Sequence, residues 1–286
     1  MESLLSLSFD YLSSFDGVKI RKGLKQLEGL LAQICLLRST NSTAAERRRS
    51  VALNGAAEPP PKDLSSLRDD PAFREFFKLQ EGFEWNVAIR LIACLERLLG
   101  KGSNGQNDLL IVSTLDLLHG ILLIHPPSRS LFAREIYMNL LLDLLDPSSC
   151  PAIQCSALLT LVTTLLDTPT NTRTFENVDG LLTVTSLFKS RATSREVKMK
   201  LVEFLYFYLM PETPYCGSGS RQSSSGLQRS PSKRLDGRSS NGTSEGTKEA
   251  TRTTDEKQKL LGRYLPNVED LVEDLRECAP FGANLA

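Results

Sequence analysis

The feature that most constrains the fold is an internal repeat with a period of about 43 residues. When the sequence is shifted against itself by this distance, apolar residues coincide in several segments. The coinciding residues are Phe132 with Phe175, Met138 with Leu181, Leu141 with Val184, Leu144 with Leu187, and the three series Leu115, Leu158 and Leu201; Leu118, Leu161 and Phe204; Leu122, Leu165 and Tyr208. Polar segments coincide as well, since HPPSRS at 125–130 matches TPTNTR at 168–173. This second agreement argues against a chance alignment of leucine-rich helices.

The repeat predicts an all-α fold of stacked helical units. Apolar residues recur within each unit at helical spacing, and no segment alternates apolar and polar residues as a half-buried strand would. A period near 43 residues with two or three helices per unit is typical of armadillo and HEAT arrays. Because each unit exposes an apolar face that only its neighbours can cover, we expect an armadillo/HEAT-like α-solenoid.

The helical pattern divides the chain into five parts. These are N-terminal helices at 1–38, a flexible loop at 39–62, an armadillo-like core at 63–211, a disordered Ser/Gly/Arg-rich linker at 212–254, and amphipathic C-terminal helices at 255–286. Asp70 and Pro71 suit a helix start, and further core helices are predicted at roughly 84–100, 108–125, 133–146, 151–167, 177–190 and 194–210. The linker has almost no large apolar side chains, so burial cannot offset the entropy cost of ordering it.

The last predicted repeat helix is apolar or aromatic on nearly every side, from Phe204 to Met210. Such a helix must be covered on all sides or must present a patch to a partner. The C-terminal residues Val268, Leu271, Val272 and Leu275 form an apolar stripe at helical spacing. Two alternatives follow: this stripe folds back as a cap on the last repeat, or a partner occupies the same place.

Composition argues against several classes of function. Lysine plus arginine equals aspartate plus glutamate at 34 each, so no basic footprint points to nucleic acid or to an anionic membrane. The chain has only two histidines and no C-x-x-C pair among its six cysteines, so we expect no metal site, no other cofactor and reduced thiols. The N-terminus carries acids where a signal peptide carries bases, and the most apolar segment, 109–124, is short for a bilayer. We therefore expect a soluble cytoplasmic protein without membrane insertion.

The sequence also lacks motifs that would support catalysis. A cysteine phosphatase needs C-x5-R, and the nearest approach, Cys216 followed by Arg221, is one residue short. No phosphate-binding glycine-rich motif and no nucleophile elbow occur. His119 falls at a repeat position whose counterparts are apolar, and His125 precedes two prolines at a predicted helix end. We therefore expect a core histidine, a capping histidine and a protein that is not an enzyme, with an enzyme of unrecognised type as a distant alternative.

The segment NTRTFENVDGLLTVTSLFKS at 171–190 has two interpretations, a catalytic loop or a joint between repeat units. Its counterpart one period earlier keeps the phenylalanine and the apolar pairs but lacks Asn-Val-Asp-Gly. A turn keeps packing positions and varies its polar residues, so the joint is favoured. Phe175 is then expected to fill the core between repeats, with Asp179 and Gly180 in a turn or helix start.

Two short patterns predict phosphorylation. Ser50 follows three arginines, as basophilic kinases prefer, and Ser230 precedes a proline, as proline-directed kinases prefer. Both serines fall in segments predicted to be mobile, where a kinase can reach them and where added charge can act.

Several blocks resemble a known family. They are FEWNVAIRLIACLERLL at 83–99, HPPSRSLFAREIYMNLLLDLLD at 125–146, the segment 170–212 that begins TNTRTFENVDGLL, and VEDLVEDLRECAPFG at 268–282. They resemble the fungal cell division control protein 14 family of the septation initiation network. This family shares a name with a phosphatase but not its chemistry. The match covers roughly 1–38, 63–212 and 255–283.

The resemblance implies a non-catalytic partner of a germinal-centre-type, sterile-twenty-like protein kinase. Such a partner supports the activity of the kinase and its recruitment from the cytoplasm to the spindle pole body in mitosis, so that septum formation and cytokinesis follow. Other septation network components are implied partners. The candidate contact residues are Thr160, Thr163, Glu203 and Tyr206 on the non-core face of the repeat helices, and Arg173, Glu176 and Asn177 in a loop. The alternative is a general helical-repeat adaptor for trafficking or cytoskeletal partners without a kinase.

Overall fold

The structure is a computed structural model that describes residues 1–36, 67–100, 105–212 and 251–278. These residues form helices and their connections with no strand, which confirms the predicted all-α class. The helices are α1 (Glu2–Leu12), α2 (Gly17–Leu36), α3 (Pro71–Glu81), α4 (Val87–Gly100), α5 (Asp108–Ile124), a 3₁₀ helix (Pro126–Ala133), α6 (Glu135–Asp143), α7 (Pro151–Leu165), α8 (Pro169–Asn177), α9 (Gly180–Lys189), α10 (Arg195–Leu209), α11 (Thr254–Leu261) and α12 (Val268–Cys278). The predicted loop at 39–62 and the predicted phosphorylation sites Ser50 and Ser230 lie outside the described residues.

Helices one repeat period apart are direct neighbours in the structure. α5, α7 and α10 lie side by side in that order, and the 3₁₀ helix packs against α8, its counterpart in the next unit. The buried leucines of the aligned series Leu115, Leu158 and Leu201 all lie in the one core. The period read from the sequence therefore corresponds to a spatial relationship, while assignment to the armadillo or HEAT class stays a prediction.

Two segments predicted as polar breaks are helical. HPPSRS supplies most of the 3₁₀ helix, and TPTNTR supplies the first turns of α8. Each helix has proline in its first turn, where the missing N–H costs no hydrogen bond. The prediction was wrong because buried polar side chains, which leave no apolar pattern, hold these helices in place. Asn171 Nδ2 donates to the carbonyls of Arg129 and Thr164 at 2.8 and 2.7 Å, and thereby joins α8 to the preceding unit.

Element boundaries differ from the prediction at several points. The N-terminal helices predicted at 1–38 are two, α1 and α2, and Asp16 accepts a hydrogen bond from the Val18 N–H where α2 begins. The predicted helices 133–146 and 177–190 are shorter, at 135–143 and 180–189. Asp70 caps α3 as predicted, with its carboxylate 2.7 Å from the Ala72 nitrogen. The predicted linker 212–254 is structured at both ends, at Glu212 and at 251–254.

The C-terminal helices α11 and α12 pack on α10. Their buried apolar residues are Leu261, Leu265, Val268 and Val272. On α10 the side chains of Phe204, Leu205 and Tyr208 are buried, so the C-terminal helices cover a side of the last repeat helix that would otherwise face solvent. Of the two alternatives for this stripe, the fold-back arrangement is the one present in the structure.

No single helix in the described ranges has the length and apolar content to cross a membrane. α5 and the 3₁₀ helix reach the required length and apolar content only when they are taken together, and the chain bends by 116° between them.

Candidate interaction surface

The outward sides of α5, α7 and α10 form one surface, which we call the three-helix face. Its residues are Asp116, His119 and Leu123 on α5, Cys155, Leu159 and Val162 on α7, and Met199, Glu203 and Tyr206 on α10, all exposed or half-buried. Adjacent helices are linked across it. Ser156 Oγ donates to Asp116 at 3.3 Å between α5 and α7, and α7 packs directly against α10.

Apolar side chains dominate this face. Leu123, Leu159 and Met199 are 46, 45 and 56 % exposed, although each is a large hydrophobic residue. α7 carries no charged residue along its 15 positions, and α5 carries only Asp108 and Asp116 besides His119. Burial lowers the pKa of His119, more than Asp116 raises it, so the imidazole is neutral at pH 7. A helix that keeps an uncharged side toward solvent is unusual for a monomer.

Thr160 and Thr163 do not belong to the exposed part of this face. They are 0 and 2 % exposed, because they lie between α5 and α7 rather than toward solvent. The Thr163 hydroxyl is 2.7 Å from His119 Nδ1, and the Thr160 hydroxyl donates to the Ser156 carbonyl at 2.8 Å and reaches the Leu115 carbonyl at 3.5 Å. The expectation that both threonines face solvent is therefore wrong. Their polarity serves contacts between neighbouring helices.

Glu203 and Tyr206 lie on the three-helix face, as expected from their spacing. Glu203 is exposed and forms an ion pair of 2.7 Å with Lys200 one turn earlier, while Tyr206 is half-buried. A surface ion pair of this kind contributes roughly 0–1 kcal/mol to stability. Both residues are thus placed where a partner can contact them, and that contact stays a prediction.

Arg173 and Glu176, expected in a partner-binding loop, belong instead to a buried C-terminal ion-pair cluster. The cluster consists of Arg173, Glu176, Tyr208, Glu212, Arg252 and Lys257. Arg173 pairs with both glutamates, Arg252 lies 2.6 Å from Glu176, and Lys257 lies 3.2 Å from Glu212. The Tyr208 hydroxyl donates to Glu176 at 2.8 Å. These side chains bond within the molecule, whereas Asn177, at the end of α8, is exposed.

Burial shifts the pKa values of two members of the C-terminal ion-pair cluster, Tyr208 and Lys257. Burial, followed by the negative charge of Glu176, raises the pKa of Tyr208 far above its usual range, so the phenol stays protonated and donates. Burial lowers the pKa of Lys257, and the carboxylate of Glu212 opposes this change. No apolar pattern in the sequence indicates this cluster. Glu212 and Arg252 carry opposite charges at the two ends of the predicted linker, and this pair is the sequence signal that indicates the cluster.

The cysteines and histidines of the described residues are held in the packing of the helices. Burial raises the pKa of the Cys94 and Cys155 thiols, which makes them weaker nucleophiles at neutral pH. No group of three or more metal-ligating side chains lies together within the ranges that the structure describes. His119 and His125 are both engaged in packing and hydrogen bonds between helices.

The fold and its surface define an all-α protein in which helices one repeat period apart present a continuous, largely apolar face. Residues 1–281 match the family model described as "Cell division control protein 14, SIN component", so the chain belongs to this family of septation initiation network components. It is 29 % identical over 291 residues to the "Cell division control protein 14" of Schizosaccharomyces pombe, covering 99 % of this chain and 97 % of the relative. A search of the solved structures found no match. The resemblance inferred from the sequence blocks and the expected role in cell division are confirmed.

Proposed function

We propose that this protein is a non-catalytic regulatory subunit that binds and supports a germinal-centre-type, sterile-twenty-like protein kinase of the septation initiation network. In this role it resides in the cytoplasm, is recruited to the spindle pole body in mitosis, and controls septum formation and cytokinesis together with other network components. The observation that supports this proposal best is the three-helix face, a largely apolar surface spread over three neighbouring helices.

The mechanism follows from the architecture. Helices one period apart are cross-linked by side-chain hydrogen bonds, such as Asn171 to the Arg129 carbonyl and Thr174 to the Ala133 carbonyl. Stacked helical units of this kind present extended surfaces for binding. A partner that binds a preformed surface loses little further entropy in ordering it. The subunit therefore stabilises and positions the kinase by binding, without a chemical step of its own.

The chemistry of the described residues is consistent with this role. The two histidines are bound into helix contacts, and the thiols of Cys94 and Cys155 have raised pKa values. The charged residues that lie closest together, in the C-terminal ion-pair cluster, are paired with one another.

Affinity purification of the tagged full-length chain from cells synchronised in mitosis tests the proposal. We expect one protein kinase at close to equal stoichiometry, with higher kinase activity in the complex than in the isolated kinase. A chain purified in parallel from cells held in interphase serves as the control for cell-cycle dependence. Recovery of trafficking or cytoskeletal proteins without a kinase would favour a general adaptor and overturn the proposal.

A further inference from the structure

We propose that the three-helix face is the docking site for one amphipathic helix of the partner kinase. The helix presents apolar side chains to Leu123, Leu159 and Met199, and a lysine or arginine to Asp116. The identity of the partner rests on the proposed function, whereas the location and chemistry of the site rest on the residues of the face.

The composition of α7 supports a docking site on this face. A helix at the surface of a monomer normally carries charged residues on its solvent side. α7 has none, yet Cys155, Leu159 and Val162 line its outward side and Leu159 is 45 % exposed. Within the described residues α7 packs against α5, α6, α8, α10 and the 3₁₀ helix, and these contacts leave its outward side half-exposed. A partner completes its burial.

The positions of Leu123, Leu159 and Met199 suit a helix as the partner. Neighbouring helices lie about 8–10 Å apart, so α5 and α10 are separated by roughly 20 Å across α7. One repeat period before and after Leu159 lie positions 116 on α5 and 202 on α10. Leu123 is seven positions after 116, about 10 Å along the helix axis, and Met199 is three positions before 202, about 5 Å. The three side chains therefore follow an oblique line of roughly 25 Å, the length of a helix of about 17 residues. This geometry fits a helix that crosses the row.

The three-helix face carries two carboxylates, Asp116 and Glu203. Glu203 is paired with Lys200 at 2.7 Å, so the carboxylate of Asp116 is the charge that a partner can pair with. Asp116 is exposed, and among the described residues it accepts a 3.3 Å hydrogen bond from Ser156, so its carboxylate can accept more. Complementary charge steers association and sets the register of a complex. A second copy of this chain would occupy the same surface by two-fold pairing, and the cross-linking experiment below distinguishes it from the kinase.

The test compares two leucines of equal exposure in the full-length chain. Leu159 on the face and Leu182 on α9 are both 45 % exposed. We expect Leu159→Glu to reduce the kinase recovered per chain by about tenfold or more, the loss typical of a central interface residue. Leu182→Glu should leave recovery unchanged. If Leu159→Glu does not fold, as judged by circular dichroism, Met199→Lys replaces it, because Met199 is more exposed.

Charge is tested by a second matched pair, Asp116→Lys on the face and Asp143→Lys on α6, both exposed. We expect Asp116→Lys to slow association with the purified kinase about fivefold and to reduce the dependence of association on salt. Asp143→Lys should change neither. Equal behaviour of the two variants would contradict the basic contact assigned to the partner helix.

The occupant is identified by a photo-crosslinking residue, benzoylphenylalanine, at position 159 of the complex, with position 182 as the control. The expected cross-linked peptide comes from the kinase, has apolar residues at i, i+3 or i+4, and i+7, and carries lysine or arginine beside them. A cross-link to a second copy or to another segment of this chain overturns the proposal, as does full kinase recovery by both Leu159→Glu and Met199→Lys. If the wild-type chain recovers no kinase, the proposed function fails as well, which distinguishes the two failures.

Discussion

Glu212 and Arg252 are 40 residues apart in the chain and are joined by two hydrogen bonds. The Glu212 N–H donates to the Arg252 carbonyl at 3.1 Å, and the Arg252 N–H donates to the Glu212 carboxylate at 2.9 Å. The same carboxylate pairs with Arg173 of α8 and with Lys257 of α11. One buried side chain therefore connects the last repeat to the C-terminal helices.

Glu212→Gln is expected to loosen the C-terminal helices. The substitution removes a charge that compensates Lys257, whose side chain is 6 % exposed. Breaking a buried ion pair by removing one partner costs about 3–5 kcal/mol. Hydrogen exchange should show faster exchange in α11 with little change in α5. Glu203→Gln, which removes an exposed pair with Lys200, is the control and should cost roughly 0–1 kcal/mol in urea unfolding. Similar protection of α11 in both variants would contradict this prediction.

Stability is expected to fall on acidification between about pH 6.5 and pH 4 because of His125. Burial lowers the pKa of this imidazole from its usual 6.5 to about 4 in the folded protein. The unfolded chain therefore binds more protons in this range, so the contribution to stability is present above pH 6.5 and is lost as pH falls through 4. The full loss is about 3 kcal/mol.

Urea unfolding across this pH range measures the effect. His125→Gln keeps a group that can bond to Ser128, which lies 2.8 Å from the ring nitrogen, and removes the titration. We expect the slope of the unfolding free energy against pH to decrease by the amount that corresponds to at most one bound proton. His119, whose pKa is also lowered by burial, leaves a residual slope of the same sign. An unchanged slope in His125→Gln would show that the imidazole is not buried in its neutral form.

Arg129→Met is expected to destabilise the repeat core by about 2–4 kcal/mol. The buried guanidinium donates to the carbonyls of Leu122 and Leu166, which lie at the C-terminal ends of α5 and α7, at 3.0 and 2.9 Å. The Leu122 carbonyl has no partner within its own helix and is left unpaired, whereas the Leu166 carbonyl keeps the 2.9 Å hydrogen bond from the Thr168 hydroxyl. The variant therefore loses two hydrogen bonds from a charged donor and leaves one carbonyl to bear the cost of desolvation. Arg129→Lys should recover only part of the loss. An ammonium keeps the charge and can donate to one carbonyl, but it cannot span both carbonyls as the planar guanidinium does. Thermal unfolding, with Arg134→Met at an exposed position as control, measures the difference.

Gly180→Ala is expected to destabilise the protein by about 2–4 kcal/mol through overpacking. A Cβ atom at this position would lie 2.3 Å from the Phe175 ring and 2.6 Å from the Phe175 carbonyl. Phe175 cannot move away easily, since it is fully buried with its ring 5.6 Å from that of Phe204. Gly29→Ala, in the exposed interior of α2 with no atom near the added Cβ, should instead stabilise by about 0.5–1 kcal/mol. Chemical denaturation of the two variants side by side tests the opposite signs.

The structure of the segment 171–190 was predicted correctly in its second half and wrongly in its first half. Phe175 fills the core and Gly180 begins α9 after Asp179, which adopts a left-handed conformation at the helix start, as the predicted joint requires. The first half of the segment, expected as a polar loop, is helix α8. Its helical character was missed because Asn171 and Thr172 are buried polar residues, and the apolar period by which helices are recognised does not count them.

The sequence by itself determined the all-α class, the period of about 43 residues, most of the apolar core and the family to which the chain belongs. These properties depend on the spacing of apolar residues along single helices and on blocks of similarity, both of which are local. The tertiary structure decided that Thr160 and Thr163 lie between helices and that Arg173 and Glu176 pair with Glu212 and Arg252. A polar side chain is suited equally to solvent and to a hydrogen-bonded contact between helices, and only the packing of neighbouring helices settles which of the two it occupies.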